Sequence, residues 1–191
     1  MPDADTEIAH AALTRDAALL EDVVREAGAL ALGLFRTELK SWIKGKSSPV
    51  SEADIAVNDL IEARLRAATP DYGWLSEESA DDSVRLGKSL TWIVDPIDGT
   101  RAYLERRDDW SVSIALVANG MPVLGAVFAP ASGEFFFATR GQGTRLNGAP
   151  VAQVQTLPAG EDAGGPRERT DHRRPSPMRS SNAGTCTWSA L

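Results

Sequence analysis

Cysteine, histidine and long apolar runs are scarce in this sequence. Its 191 residues include one cysteine, Cys186, and two histidines, His10 and His172. A single cysteine excludes an internal disulfide and fits a reducing compartment. No apolar run approaches the length of a membrane span, and no basic segment precedes an apolar core as in a secretory signal. We therefore expect a cytoplasmic protein with no membrane partner.

Basic residues are also fewer than acidic ones. Lysine and arginine number 20 against 27 acidic residues, which gives a formal net charge of -7. This balance disfavours nucleic acid and anionic membranes as partners. An acidic protein that binds anions needs metal ions or backbone amide dipoles to do so. Hydrophobic residues make up 42% and charged residues 25%, as in soluble globular domains.

Apolar periodicity predicts two helices in the first third of the chain. The first covers most of residues 7–36, and the second runs from a Ser51 cap to Ala68. A polar stretch with Gly45 and Pro49 separates them and is typical of a turn or short hairpin. The predicted buried positions are Leu20, Val23, Ala27, Leu30 and Leu34 in the first helix and Val57, Ile61, Leu65 and Ala68 in the second.

Strand-like segments follow the helices. They lie at 72–76, 89–94, 111–118, 121–129 and 133–139. Asn119-Gly120, between two of them, is a strong hairpin signal. Helices followed by a mostly antiparallel sheet indicate layered α and β elements, not a repeating βαβ unit.

The composition changes near residue 156. The segment 156–191 is rich in Pro, Gly, Arg and Ser and has few large apolar residues. It buries too little surface to offset its ordering entropy, so we expect disorder there. The sequence is thus divided into a domain at 1–155 and a tail at 156–191 that looks like the product of a frameshift.

The stretch WIVDPIDGTRAY, residues 92–103, brings two carboxylates to the end of a strand. Pro96 keeps Asp95 extended, and a turn would bring Asp98 to the same side. Two close carboxylates with the Ile97 carbonyl between them are stabilised by a hard cation, above all Mg²⁺.

The two residues after Asp98, Gly99 and Thr100, would open a helix whose free amides can receive an anion. A purely structural interpretation is also open. Asp98 can serve as the N-cap of this helix, and Asp95 can form an Asx turn at the strand end.

Two further segments place acids at element ends. LSEES contains Glu77 and Glu78, and SPVSEAD places Asp54 in the first turn of the second helix, on the side that Asn58 shares. Lys44 lies upstream in the hairpin. A Glu-Glu pair is usually a solvated face, and an acid in a first helical turn usually complements the helix dipole. Three such ends within a short stretch favour one shared site.

With these motifs the chain resembles the inositol monophosphatase family of magnesium-dependent, lithium-sensitive phosphatases. The resemblance covers about 14–153 and consists of SPVSEAD, LSEES, WIVDPIDGTRAY and the weaker GQGTRLNGAPV. It implies an α/β fold, an α+β layered sandwich of the sugar-phosphatase type. It also implies Mg²⁺ as cofactor, a small phosphorylated metabolite as substrate, and a homodimer.

The resemblance also implies roles for individual residues. Glu77, Asp95 and the carbonyl of Ile97 would bind one Mg²⁺, Asp95 and Asp98 a second, and Glu77 a weaker third. Asp54 and Thr100, with Glu77, would act on the attacking water. Asp98, Gly99 and Thr100 would bind the substrate phosphate, and Lys44 would belong to the metal loop.

Details of three segments are more similar to the bisphosphate nucleotidase (CysQ-like) branch. These are LSEES, the Ser-Pro before VSEAD, and Arg101-Ala102-Tyr103. They imply hydrolysis of adenosine 3'(2'),5'-bisphosphate. Inositol 1-phosphate and histidinol phosphate are the alternatives, since histidinol-phosphate phosphatases also carry Arg-Ala-aromatic at this point.

The sequence departs from the family pattern after residue 153. The resemblance implies a second half with a Trp-Asp motif that completes the second metal site, whereas Trp188 is followed by Ser189. We therefore expect a truncated, N-terminal α+β half with little or no activity and an exposed sheet face that promotes self-association. Two alternatives are a non-catalytic Mg²⁺-binding remnant and a plain α/β binding domain whose acids cap helices.

Overall fold

The computed structural model describes residues 4–45 and 48–152, with side chains from residue 11 onward. These residues fall within one unit, Met1–Val154. The predicted tail at 156–191, with Cys186 and His172, lies outside the described residues. Within them, no helix is long and apolar enough to cross a membrane.

Two helices form one layer. Helix α1 spans Ala4–Leu34 and helix α2 spans Glu52–Ala68, which confirms both predicted helices. Most of the predicted core positions are fully buried: Leu20, Val23, Ala27, Val57, Ile61 and Leu65. Leu30 and Leu34 are only partly buried.

Ala68 is exposed, so its predicted place on the buried face of α2 is wrong. The next residue, Thr69, is buried instead, with 5% of its surface exposed. Its hydroxyl donates to the Leu65 carbonyl at 2.7 Å and accepts from Trp92 Nε1 at 3.0 Å. The Thr69 side chain at the end of the helix is thus buried because its hydroxyl has hydrogen-bond partners there. Apolar periodicity cannot predict such a contact.

The strands form a small hairpin and one larger sheet. Strands β1 (Ser41–Lys44) and β2 (Ser48–Ser51) pair antiparallel, which confirms the predicted hairpin. The seven-stranded sheet follows chain order from β3 to β9. Its strands are β3 Gly73–Ser76, β4 Leu90–Asp98, β5 Ser111–Ala118, β6 Met121–Ala129, β7 Glu134–Thr139, β8 Gly143–Leu146 and β9 Ala149–Pro150. Only β3 and β4 pair in parallel, so the predicted mostly antiparallel sheet is confirmed.

The two faces of this sheet differ in burial. One face carries paired rows such as Trp92, Leu116 and Leu124, which are buried and belong to the same core as α1 and α2. Residues one step along each strand point to the other face. There Ile93, Ala115 and Gly125 form a row that is only partly buried.

Short helical segments join the strands near the sheet end. A 3-10 helix at Ser83–Gly87, which periodicity did not predict, connects β3 to β4. Helix α3, Thr100–Leu104, follows β4 directly. Tyr103 of α3 packs edge-on against Trp110, with ring centroids 4.8 Å apart, and donates a hydrogen bond to the Ala31 carbonyl at 2.7 Å. These contacts fix α3 on the core beneath the predicted site.

Candidate metal and phosphate site

The two aspartates of DPID are placed by a β-bulge. Strand β4 continues through Pro96 to Asp98, so the prediction that it ends at residue 94 is wrong. Asp95 pairs with Ser113 and Asp98 with Ser111, so three steps along β4 match two along β5. The extra residue brings Asp98 to the same side as Asp95. A bulge also accommodates Pro96, which explains why a proline does not end the strand.

Gly99 turns the chain sharply from β4 into α3. It is the N-cap of α3 with φ of 92°, in the left-handed region. A Cβ added here would lie 2.8 Å from the Asp109 carbonyl oxygen and 3.3 Å from Trp110 Cα. Asp98 is still a strand residue, so the alternative in which Asp98 caps the helix is wrong.

Asp54 joins α2 to α3. It is 1% exposed, and its Oδ2 accepts hydrogen bonds from the Ser51 amide at 2.9 Å and the Ser51 hydroxyl at 2.5 Å. Its Oδ1 lies 2.9 Å from Thr100 Oγ1, which is also 3.0 Å from the Ile97 carbonyl oxygen. Asp54 therefore does both things considered for it: it supports the first turn of α2, and it contacts Thr100 of the DPIDGT segment.

Glu77 and Asp95 are neighbours because β3 and β4 are parallel and in register. Ser76 pairs with Val94, and the Glu77 amide donates to the Val94 carbonyl at 3.2 Å. Glu77, the first residue after β3, and Asp95, the next residue of β4, therefore lie side by side. The sequence predicted two acids at strand ends, and the parallel register joins them.

The electrostatics of Asp95 show how closely the acids approach. Burial, together with the neighbouring carboxylates of Glu77, Asp98 and Asp54, raises the pKa of Asp95 to about 8. A carboxylate surrounded by other carboxylates is destabilised in its charged form unless a cation neutralises the group. The other three predicted acids therefore all lie within electrostatic reach of Asp95.

Lys44 reaches the same region from β1. Its ammonium group contacts the Glu77 carbonyl oxygen and lies 3.4 Å from Glu78 Oε2. The Glu78 side chain is 6% exposed. Burial raises the pKa of Glu78, and the Lys44 charge opposes that rise. Glu78 thus links the hairpin to the turn that carries both glutamates, while Glu77 lies beside Asp95.

Asn58 is a residue whose role the sequence did not reveal. Lying one turn beyond Asp54 on α2, it is 4% exposed. Its Oδ1 accepts from Ser76 Oγ at 2.6 Å, and its Nδ2 donates to Ser79 Oγ at 3.3 Å. The i to i+4 spacing from Asp54 was the available signal, but it did not identify the partners.

The donor set suits a hard divalent cation. The predicted ligands are carboxylate and carbonyl oxygens, and each charged neighbour that shifts Asp95 is an acid. In residues 4–45 and 48–152, no group of three or more His, Cys, Asp or Glu side chains could hold a metal ion. The first two predicted sets each use two carboxylates of this region, with the Ile97 carbonyl completing one of them, and the weaker third uses Glu77.

The predicted site residues differ in exposure. Glu77 and Asp98 are exposed, and Thr100 is partly buried. Two cavities, of about 250 and 460 Å³, are lined by residues of α1 with β7 and β8, and by the α1–β1 connection with α3. Neither of these two cavities is lined by a predicted metal ligand.

Comparison with known proteins identifies the family of this chain. The model of the "Inositol monophosphatase family" matches residues 13–183. The chain belongs to the inositol monophosphatase family. The match begins next to the expected start of the resemblance, about 14, and continues beyond its expected end, about 153.

Two curated proteins and one solved structure illustrate the similarity of this chain to known proteins. It is 39% identical over 146 residues to a histidinol-phosphatase of Chlorobaculum parvum, covering 76% of this chain and 55% of that protein. It is 38% identical over 117 residues to the 3'(2'),5'-bisphosphate nucleotidase CysQ of Escherichia coli, covering 61% and 48%. The crystal structure of the extragenic suppressor protein suhB from Bartonella henselae superposes with a TM-score of 0.66 at 31% identity, covering 70% and 52%.

The chain spans about half the length of the curated relatives it matches. The α+β layered fold predicted from the family resemblance is confirmed, and the chain is a member of a phosphatase family.

Proposed function

We propose that the acids at the ends of β3 and β4 are the metal-binding part of a Mg²⁺-dependent hydrolase of small phosphate monoesters. The observation that carries the proposal is the in-register placement of Glu77 beside the partly buried Asp95, with Asp98 on the same side of β4. Glu77, Asp95 and the Ile97 carbonyl would hold one Mg²⁺, and Asp95 and Asp98 a second, with Glu77 beside a weaker third. When bound, Mg²⁺ would acidify water and neutralise phosphate charge.

Asp54 and Thr100 would orient the attacking water. Thr100 Oγ1 has one proton and two acceptors nearby, Asp54 Oδ1 at 2.9 Å and the Ile97 carbonyl at 3.0 Å. Donation to the carboxylate is the stronger bond. It leaves a lone pair of Oγ1 free to accept a hydrogen bond from water, so that Asp54 would orient the water through Thr100.

The substrate phosphate would bind at the start of α3. The amides of Gly99 and Thr100 lie in the first turn, where helix amides have no acceptor within the helix. Asp98 would take part through its metal ion, since a carboxylate by itself repels phosphate. Positioning and charge neutralisation carry most of the catalysis of phosphoryl transfer, so no covalent intermediate is required.

For the substrate we propose adenosine 3'(2'),5'-bisphosphate. The LSEES segment and Arg101-Ala102-Tyr103 favour it, as does the similarity to the Escherichia coli nucleotidase. Histidinol phosphate is a second candidate, because the Chlorobaculum parvum histidinol-phosphatase aligns over a longer stretch, 146 against 117 residues.

The direct test of the metal proposal is calorimetric titration of Mg²⁺ into the purified chain. We expect saturable binding that Asp95→Asn weakens by at least about tenfold, because Asp95 would contribute to both ions. Titration of Ca²⁺ into the same samples serves as a probe for a less selective oxygen-ligand site. Absence of saturable Mg²⁺ binding would overturn the proposal and leave the acids as structural groups.

The substrate proposal requires a separate assay. Phosphate release from adenosine 3'(2'),5'-bisphosphate, histidinol phosphate and inositol 1-phosphate is measured with and without Mg²⁺. We expect little or no turnover by this chain alone, because the ligands predicted here leave the second metal incomplete. Ordinary turnover that Asp95→Asn abolishes would contradict that expectation and identify the substrate directly.

A further inference from the structure

We propose that Asn58 of α2 is a positioning residue that holds the acidic turn at 76–79 in its metal-binding conformation. This inference rests on the proposed Mg²⁺ function. Asn58 itself is 4% exposed and lies behind the turn, so it would not contact the metal or the substrate. Its effect would come through the two serines on either side of Glu77 and Glu78.

The hydrogen bonds of Asn58 bracket the two glutamates. Ser76 Oγ donates to Asn58 Oδ1 at 2.6 Å, and Asn58 Nδ2 donates to Ser79 Oγ at 3.3 Å. One amide side chain thereby fixes both ends of a four-residue segment. Both of its polar atoms are used, as a buried amide requires.

Each serine passes this restraint on. Ser76 Oγ also accepts from the Glu78 amide at 3.3 Å, so the peptide between the two glutamates is tied to the same hydroxyl. Ser79 Oγ also accepts from Trp74 Nε1 at 3.2 Å, which links the end of the turn to the start of β3. Asn58 is therefore the point at which the turn is attached to a helix.

The placement of Asn58 on α2 gives the restraint a functional consequence. Asp54, which contacts Thr100, lies one helical turn earlier on the same face of α2. One rigid helix would thus set both the Asp54–Thr100 pair and the turn that carries Glu77. The distance from the attacking water to the Glu77 side of the metal site would thus be set through α2 as well as through the sheet.

The test compares Mg²⁺ affinity in Asn58→Ala and Thr69→Ala. Both variants remove a buried hydrogen-bonding side chain from α2 or its C-cap, but Thr69 bonds Leu65 and Trp92 and none of the acids. We expect Asn58→Ala to weaken Mg²⁺ binding by about 10–100-fold, the usual effect of losing a group that orients a metal ligand. Thr69→Ala should lower the melting temperature comparably while changing the affinity less than about twofold, within the scatter of context-dependent effects.

A second variant provides the test if Asn58→Ala folds poorly. Ser79→Ala removes one of the two links and leaves Asn58 bonded to Ser76, so a smaller loss of affinity in the same direction is expected. Equal Mg²⁺ affinities in Asn58→Ala, Ser79→Ala and Thr69→Ala would overturn the positioning role.

Hydrogen exchange separates failure of this inference from failure of the proposed function. In the metal-free chain, the amides of Glu77 and Glu78 donate to the Val94 carbonyl and to Ser76 Oγ. Faster exchange of both amides in Asn58→Ala, but not in Thr69→Ala, supports the restraint even if the wild-type chain binds no Mg²⁺. Unchanged exchange overturns the restraint whatever the metal does.

Discussion

The two segments that supply the acids are held in place by different means. The turn after β3 is fixed by side chains of other elements, since Asn58 and Lys44 bind it from α2 and β1. The end of β4 is fixed by its own backbone, through a bulge and the left-handed Gly99. The first arrangement can be weakened one hydrogen bond at a time. The second depends on backbone geometry that a single added methyl group would disrupt.

The largest effect is expected from Gly99→Ala, which challenges the backbone-held segment. An alanine is strained at a φ of 92°, and its Cβ would also lie 2.8 Å from the Asp109 carbonyl oxygen. Together these should cost about 2–4 kcal/mol of unfolding free energy. The matched control is Gly120→Ala, which has a φ of 79° but no atom within 4 Å of the new Cβ. Its cost should be about 1 kcal/mol, and similar urea midpoints for the two variants would show that the tight contact is relieved elsewhere.

An intermediate effect is expected from Asp95→Asn in the metal-free protein. The pKa of Asp95 is raised from 3.8 to about 8, first by burial and then by Glu77 and Asp98. Between these values the folded chain binds more protons than the unfolded chain, so the raised pKa lowers stability as pH increases through this window. The neutral amide removes that penalty.

Thermal melts in a chelating buffer at pH 5 and pH 8.5 test this expectation. Asp95→Asn should be more stable than wild type at pH 8.5, by about 1–3 kcal/mol, and nearly equal at pH 5. Mg²⁺ should reverse the order at pH 8.5, because it stabilises the chain that retains the carboxylate. If the wild-type chain were more stable than Asp95→Asn at pH 8.5 without metal, the close approach of the other acids to Asp95 would be contradicted.

The smallest effect is expected from Lys44→Met, which tests the side-chain-held turn. The Lys44 side chain is 46% exposed, so its pair with Glu78 should contribute only about 0.5–1 kcal/mol. Removing the cation should raise the pKa of Glu78 further, so the loss of stability should grow as pH rises through the range in which Glu78 ionises. Lys40→Met is the control, because Lys40 pairs with Glu52 at 3.6 Å and is 87% exposed. Melting temperatures that fall equally in both variants would mean that Lys44 is an ordinary surface charge.

The sequence predicted the elements better than the geometry that connects them. Both helices, the hairpin and the strands at 111–118 and 121–129 follow from local patterns of apolar residues and turns, and the structure confirms them. Family membership was likewise readable from the motifs. These features depend on residues near one another in the chain, which a pattern can register.

Three features of the site depend on pairing between distant residues and were not readable. The bulge that aligns Asp98 with Asp95 arises opposite Ser111 and Ser113 of β5. The hydrogen bonds of Asn58 depend on how the end of β3 packs against α2. The burial of Thr69 depends on its hydrogen bond with Trp92. The strand was predicted to end at residue 94, and only the bulge shows how it continues through Pro96, which lacks a backbone donor.

The parallel pairing of β3 with β4 makes strand length part of the chemistry. Ser76 is matched to Val94, and the first acid after each match lies next to the other. Inserting one residue into either strand would displace one acid and turn it to the opposite face, whereas the connection from 80 to 89 can lengthen or shorten without moving either acid. Variation among related chains should therefore be tolerated in that connection and rejected inside the two strands.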